Sequence, residues 1–242
     1  AINRAKEAFG AKYANVQPHS GTSANQIVLT AILEKGDRIL SLAMDQGGHV
    51  SHGAPVALAG RIFEIESYRV RPDNFLLDYD AIREQALQFR PKLIICGTTA
   101  YSRIIDFARF RAIADEVGAY LMADVSHISG LISAGVHPSP VDQAHFTTTS
   151  TYKPGGPRGG LILMGRDFDQ PFPVGNKTIP LWERIEKTTF PGFQGTPYLN
   201  NIAAKAVFFK EMLSPQYKDR QVRIVENAKT LAEEFVRRGY DV

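Results

Sequence analysis

In KLIICGTTAYSRIIDFARFRAIADEVGAYLMAD, residues 92–124, two unbroken apolar runs flank a segment of helical character. Strands buried on both faces read as continuous apolar runs, whereas strands with one wet face alternate. The spacing therefore predicts a strand over 92–96, a helix over 107–117 and a strand over 120–123. Working outward, helical patterns cover 2–9, closed by Gly10, and 23–33, opened by Ser20-Gly21-Thr22. A strand follows at 38–42, then a helix at 52–59, an extended run at 62–70 and an amphipathic helix at 78–89. Beyond the central stretch come strands at 145–150 and 160–164, an irregular Pro-rich segment at 170–180, and helices at 199–213 and 215–238. Apolar strands separated by helices make a three-layer α/β/α sandwich with a mostly parallel central sheet.

The 242 residues, 44% hydrophobic and 22% charged, can bury a sizeable core, which excludes a disordered tail or a disulfide-stapled miniprotein. Lys plus Arg (28) barely exceeds Asp plus Glu (25), and no basic run accompanies the net +3, so nucleic-acid binding has no support. The single cysteine, Cys96, lies inside an apolar run and reads as a buried small hydrophobe in a reducing compartment. No apolar stretch approaches the roughly 20 residues of a membrane span, and no signal peptide opens the chain. A cytoplasmic protein without a membrane partner is expected. The chain starts without Met and stops at Tyr240-Asp241-Val242 as a strand would begin, so a longer parent protein is expected too.

In open α/β sheets, ligands sit beyond the carboxyl ends of the strands, which directs attention to four polar stretches. Pro18-His19-Ser20-Gly21-Thr22-Ser23-Ala24-Asn25 puts small hydroxyl residues and a glycine at a helix start, an arrangement suited to phosphate; alone it reads more simply as an N-cap. Asp124 ends an apolar strand, where a carboxylate needs a cationic partner such as a protonated pyridine nitrogen; alone it reads equally as a cap of the next helix. Lys153 follows the hydroxyl-rich strand Thr147-Thr148-Thr149-Ser150 and precedes a Gly/Pro loop, placed to bond an aldehyde cofactor. Desolvation there would lower its pKa and free the amine; alone it reads as a surface lysine. Gly47-Gly48-His49 lets His49 lie flat against an aromatic ligand. A zinc set of His49, His52 and His127 lacks supporting Cys or carboxylate spacing, so no metal is expected.

These stretches, with Asn15-Val16-Gln17-Pro18-His19-Ser20-Gly21, Met122-Ala123-Asp124, Gly135-Val136-His137-Pro138-Ser139-Pro140, Gly156-Pro157-Arg158-Gly159-Gly160 and Phe190-Pro191-Gly192-Phe193-Gln194-Gly195, closely resemble the serine hydroxymethyltransferase family in order along the whole chain. The resemblance implies the large domain of a fold-type-I, aspartate aminotransferase-like pyridoxal phosphate enzyme over residues 1–242, without the family's N-terminal arm and C-terminal small domain. It implies that Lys153 bonds the cofactor aldehyde, Asp124 pairs with the ring nitrogen, His49 stacks on the ring and His127 lies near the ring hydroxyl and substrate. Ser20, Gly21 and Thr22 would hold the phosphate, and Thr99 would supply a hydroxyl contact to the cofactor. Met44, Gly48 and Val50 stand at folate-cleft positions, and Arg158 is counted on the substrate and folate side. Gly195 and Thr196 stand where a neighbouring subunit's backbone reaches the phosphate, which implies a homodimer or tetramer.

The implied activity is serine–glycine interconversion with tetrahydrofolate as co-substrate. Three departures bear on it. Tyr152 replaces the family's His before the lysine and is counted with the catalytic residues; the loop Pro154-Gly155-Gly156 is one residue short; and Gly195-Thr196-Pro197 replaces Gly-Gly-Pro. They leave open an α-methylserine hydroxymethyltransferase, a threonine-type aldolase or transaldolase, and a non-catalytic cofactor-binding homologue.

Overall fold

The computed structural model describes all residues from 1 to 242. Its helices are α1 (Ile2–Phe9), α2 (Gly21–Ile32), α3 (Leu58–Ile62), α4 (Tyr79–Phe89), α5 (Phe107–Val117), α6 (Ser129–Ser133), α7 (Leu181–Lys187), α8 (Leu199–Met212) and α9 (Pro215–Arg237). Its strands are β1 (Tyr13–Asn15), β2 (Arg38–Leu42), β3 (Glu64–Tyr68), β4 (Leu93–Gly97), β5 (Tyr120–Asp124), β6 (Phe146–Ser150), β7 (Gly160–Met164), β8 (Pro171–Val174) and β9 (Lys177–Pro180).

Seven strands form one sheet in the order β1-β7-β6-β5-β4-β2-β3. Neighbours from β3 to β6 are parallel, and β7 runs antiparallel to both β6 and β1. That reversal matters for the site. Because β7 returns beside β6, its first residue Gly160 pairs with Ser150, the last residue of β6. The loop between them, which carries Lys153, is thus held at the carboxyl end of the parallel strands. Asp124 ends β5 at the same level.

The sheet is buried on both faces, as continuous apolar strands require. One core joins Leu40, Ile94, Cys96, Leu121 and Leu161 to helices α1, α4, α5 and α8, and the other joins Ile39, Ile95, Met122 and Ile162 to α2, α3 and α7. The three-layer reading of the sequence is therefore the observed architecture. Helix ends follow local chemistry: Ser20, Asp78, Asp106 and Ser214 cap α2, α4, α5 and α9 through their side chains, and Gly10 and Gly118 close α1 and α5 in the left-handed conformation.

Two local expectations are corrected. Residues 52–59 are not one helix: a single 3-10 turn covers Val50–His52, and α3 begins only at Leu58. Pro55 lacks the N–H that a continuous helix would need. Residues 170–180 are not irregular: β8 and β9 form a two-residue-loop hairpin around Gly175-Asn176. Its prolines disguised it, yet a two-stranded ribbon consists only of edges, where proline is tolerated. The short β1, α6 and α7 went unread because each is too short to show a period.

His145, at the opposite end of β6 from Lys153, is buried, and its Nδ1 accepts the Leu121 N–H at 3.0 Å, extending the ladder to β5. Burial lowers its pKa to about 4, with Arg111 acting in the same direction and Asp167 and Asp115 opposing. The folded value lies below the unfolded value near 6.5, so the unfolded chain takes up the proton first. Stability falls as pH drops from 6.5 toward 4. Urea denaturation across that range is expected to show the loss, with a shallower slope in His145→Asn.

Candidate active site

A cavity of about 280 Å³ opens at the carboxyl end of the sheet, lined by Ser20, Gly21, Thr22, His49, Asp124, Ser126, Ser150, Tyr152, Lys153 and Arg158. Eight of the sequence candidates thus meet in one place, from five separate stretches of chain.

Asp124 is its most constrained member. The carboxylate is buried; Oδ2 accepts from Asn25 Nδ2 at 2.7 Å and meets His52 Nε2 at 3.1 Å, while Oδ1 accepts from Ser126 N at 3.1 Å and Ser126 Oγ at 2.7 Å. Burial alone pushes its pKa up, but His52, Asn25 and Ser126 together more than offset that and hold the carboxyl well below the usual range. The group is an anion in the wall of the cavity at every physiological pH. Asn25 completes the network, donating also to Ser51 Oγ at 2.9 Å and accepting from Thr148 Oγ1 at 2.6 Å.

The start of α2 forms an anion cradle. Ser20 Oγ accepts from Ser23 N at 3.0 Å, so the N-cap reading is realised, and the backbone of Gly21 and Thr22 faces the cavity. A Cβ at Gly21 would stand 3.2 Å from both Ser126 Oγ and Ser150 N, so any larger residue would crowd the cradle. Ser150 Oγ is buried without a hydrogen-bond partner, and Lys153 and Arg158 add positive charge. An unsatisfied hydroxyl beside two cations and a helix N-terminus fits a phosphate group.

Lys153 lies in the β6–β7 loop, which closes through Thr151 N to Gly159 O (2.9 Å) and Gly156 N to Thr151 O (3.0 Å), and is propped by Tyr217 OH donating to Pro154 O (3.1 Å). The amine makes no ion pair, and its Nζ stands 5.5 Å from the centre of the Tyr152 ring; the Arg158 guanidinium is also 5.5 Å from that ring. Lys153 is exposed, so the expected desolvation is not met: the turn after β6 lifts the side chain to the cavity's open side. Tyr152 is half-exposed between the two cations.

His49 accepts the Ser51 N–H on Nδ1 at 3.2 Å and shares a 2.8 Å contact with Ser51 Oγ, which leaves Nε2 as the protonated nitrogen. Burial, then the nearby charge of His52, lowers its pKa, so the ring is neutral. Gly48, before it, is buried: a Cβ there would lie 2.1 Å from Leu42 O. The absence of a side chain is what allows that close approach. Met44 and Val50 on the same loop are exposed.

Other candidates lie outside the cavity wall. His127 is exposed, its pKa lowered by partial burial and then by the charge of Lys153. Thr99 donates its N–H to Gly47 O at 2.7 Å and buries an unpartnered Oγ1. Gly195 and Thr196 are exposed and do not line the cavity.

The three-histidine metal set is not what assembles. Instead, ligand atoms of His49, His52 and Asp124 lie within 4.8 Å of one another, with His127 apart. His52 Nε2 and Asp124 are already paired, and His49 Nδ1 is held by Ser51, so an ion would have to break these bonds. Sequence reading missed Asn25, Ser126 and Ser150, and weighed His52 only as a metal ligand. A signal for Asn25 existed: it sits between Ala24 and Ile27-Val28 on the buried face of α2, where a lone amide needs partners.

The mostly parallel seven-stranded sheet covered by helices on both faces is the α/β fold of the pyridoxal-phosphate transferases. The family model described as serine hydroxymethyltransferase matches residues 1–242. A serine hydroxymethyltransferase of Nostoc punctiforme is 49% identical over 240 residues, covering 99% of this chain and 53% of that protein. One of Marinobacter nauticus is 49% identical over 243 aligned residues, covering 100% of this chain and 56% of that protein. The chain belongs to the serine hydroxymethyltransferase family. It spans about half the length of these relatives.

Proposed function

We propose that residues 1–242 are the pyridoxal phosphate-binding domain of an enzyme that interconverts serine and glycine with tetrahydrofolate as one-carbon acceptor. The observation that carries this reading is the convergence of the α2 cradle, ionised Asp124 and unpaired Lys153 on one cavity. When bound, the cofactor supplies an electron sink for the pair released as the hydroxymethyl group leaves. Gly21, Thr22 and Ser150 would hold its phosphate. Asp124 would hold a proton on the ring nitrogen, Lys153 would bond the aldehyde carbon, and neutral His49 would cover the ring face. Thr99 and His127 would complete the contacts to cofactor and substrate, with Arg158, Met44 and Val50 toward the amino acid and folate.

Gly195 and Thr196, exposed on this chain, suit contact with a second copy, so the working unit is a homodimer or a tetramer. No helix is long and apolar enough to cross a membrane, in keeping with a cytoplasmic site of action.

One second reading has its own observation: Tyr152, flanked by both cations at the cavity, changes the surroundings of the amine and suits an α-methylserine or threonine-type substrate. Turnover of L-serine, α-methylserine and L-threonine by the full natural chain, with and without tetrahydrofolate, tests both. Folate-dependent serine cleavage is expected. Cleavage of threonine alone, indifferent to folate, would overturn the hydroxymethyltransferase reading, and no turnover would leave a non-catalytic binder.

A further inference from the structure

Lys205, on α8, is 2% exposed and has no carboxylate partner. Its Nζ donates to three backbone carbonyls: Val16 O at 2.6 Å, Gly160 O at 2.9 Å and Pro18 O at 3.1 Å. Three donors on an ammonium meet three acceptors, which compensates for much of the cost of burying the charge. Burial lowers its pKa to about 8, so the charged form still prevails at neutral pH.

The identity of those carbonyls is what sets this lysine apart from an ordinary satisfied core residue. Val16 and Pro18 belong to the segment that runs from β1 into the cradle at Ser20. Gly160 opens β7 directly after the Lys153 loop, and its N–H donates to Pro18 O at 2.8 Å. One ammonium therefore ties the segment entering the phosphate cradle to the first residue of β7.

Two neighbours are shaped around this arrangement. A Cβ at Gly159 would lie 2.2 Å from Lys205 Cε and 2.6 Å from Nζ, so glycine is required where the side chain passes. From the other side, Gln194 accepts from His19 N at 3.1 Å and donates to Gln17 O at 3.0 Å, clamping the same segment.

We infer that Lys205 is a positioning residue that sets the phosphate cradle at the start of α2 through its three carbonyl bonds. It touches neither cofactor nor substrate. The inference rests on the cofactor reading above, and predicts that losing the ammonium weakens recognition of the phosphate while sparing the ring and aldehyde.

The test compares pyridoxal phosphate with pyridoxal, which lacks the phosphate, in equilibrium titrations of the full natural chain after removal of its cofactor. Wild type is expected to bind the phosphorylated form far more tightly. Lys205→Met is expected to lose at least about tenfold in affinity for pyridoxal phosphate, while its affinity for pyridoxal stays within about twofold. Lys205→Gln keeps two N–H donors and provides a folded variant should Met fail; it is expected to show the same split. Equal losses for both ligands would mean general structural damage and overturn the inference, as would unchanged affinities. If wild type itself binds both forms equally or neither, the cofactor reading falls first, an outcome visible without any variant.

Discussion

Lys153→Ala is expected to abolish the visible absorption band of the enzyme-bound cofactor and to reduce serine turnover by ~10³-fold or more. The reasoning is one of elimination around the cavity. Only two side-chain cations line it, Lys153 and Arg158, and a guanidinium stays protonated and cannot attack an aldehyde. Lys205 is spent on three carbonyls behind the cradle and is buried. Lys153 makes no ion pair and lies exposed on the cavity's open side, where an aldehyde can reach it. Absorption spectra of the reconstituted variant, followed by reductive trapping and peptide mapping of the wild type, check this. A band that survives unchanged, or a label on another residue, would remove Lys153 from its role.

The second large effect is expected at Asp124. Asp124→Ala should retain some cofactor binding, through the cradle and Lys153, yet lose most turnover. A loss of ~10²-fold to 10⁴-fold matches removal of a buried charge that sets a proton's position. Asp124→Asn separates the two jobs of the side chain. It keeps an oxygen for Ser126 but faces Asn25 and His52 with a neutral group, so turnover should fall nearly as far as in the alanine variant. If Asn restored wild-type turnover, the negative charge would be irrelevant and ring-nitrogen protonation would have to come from elsewhere. The acid limb of stability should change as well. The folded carboxyl is held below its unfolded value near 3.8, so its contribution is present above that pH and lost only below it. Denaturation curves of the two variants should therefore lose that part of the decline below pH 4.

Much of this molecule was legible in one dimension. Strands at 38–42 and 160–164 and the helix at 107–117 fall where the apolar runs and caps put them. Long periodic segments carry enough residues for the period to emerge, which three-residue β1 and five-residue α6 do not. Residues 52–59 failed because Ala and Leu mimic a helix while Gly53 closes the turn before them and Pro55 lacks the N–H a continuous helix needs. At the site, Ser20, Gly21, Asp124 and Lys153 were readable because each stands just past a strand or at a helix start. Asn25 and His52 were not, because their importance lies in Asp124, more than 70 residues away in sequence, and Ser150 was not, because its side chain stands out only by being buried without a partner.

The order of apolar runs and caps along the chain was thus sufficient to determine the α/β class, the two-sided burial of the sheet and the end at which the candidate residues gather. Those properties depend on local periodicity and on the alternation of strand and helix. Only the tertiary structure decided that β7 runs backwards beside β6, that Lys153 is exposed while Asp124 is held ionised, and that a lysine from α8 closes over the base of the cradle. Each of these is set by which groups desolvate one another across the fold, and hydrogen bonds between distant segments leave no period in the sequence to read.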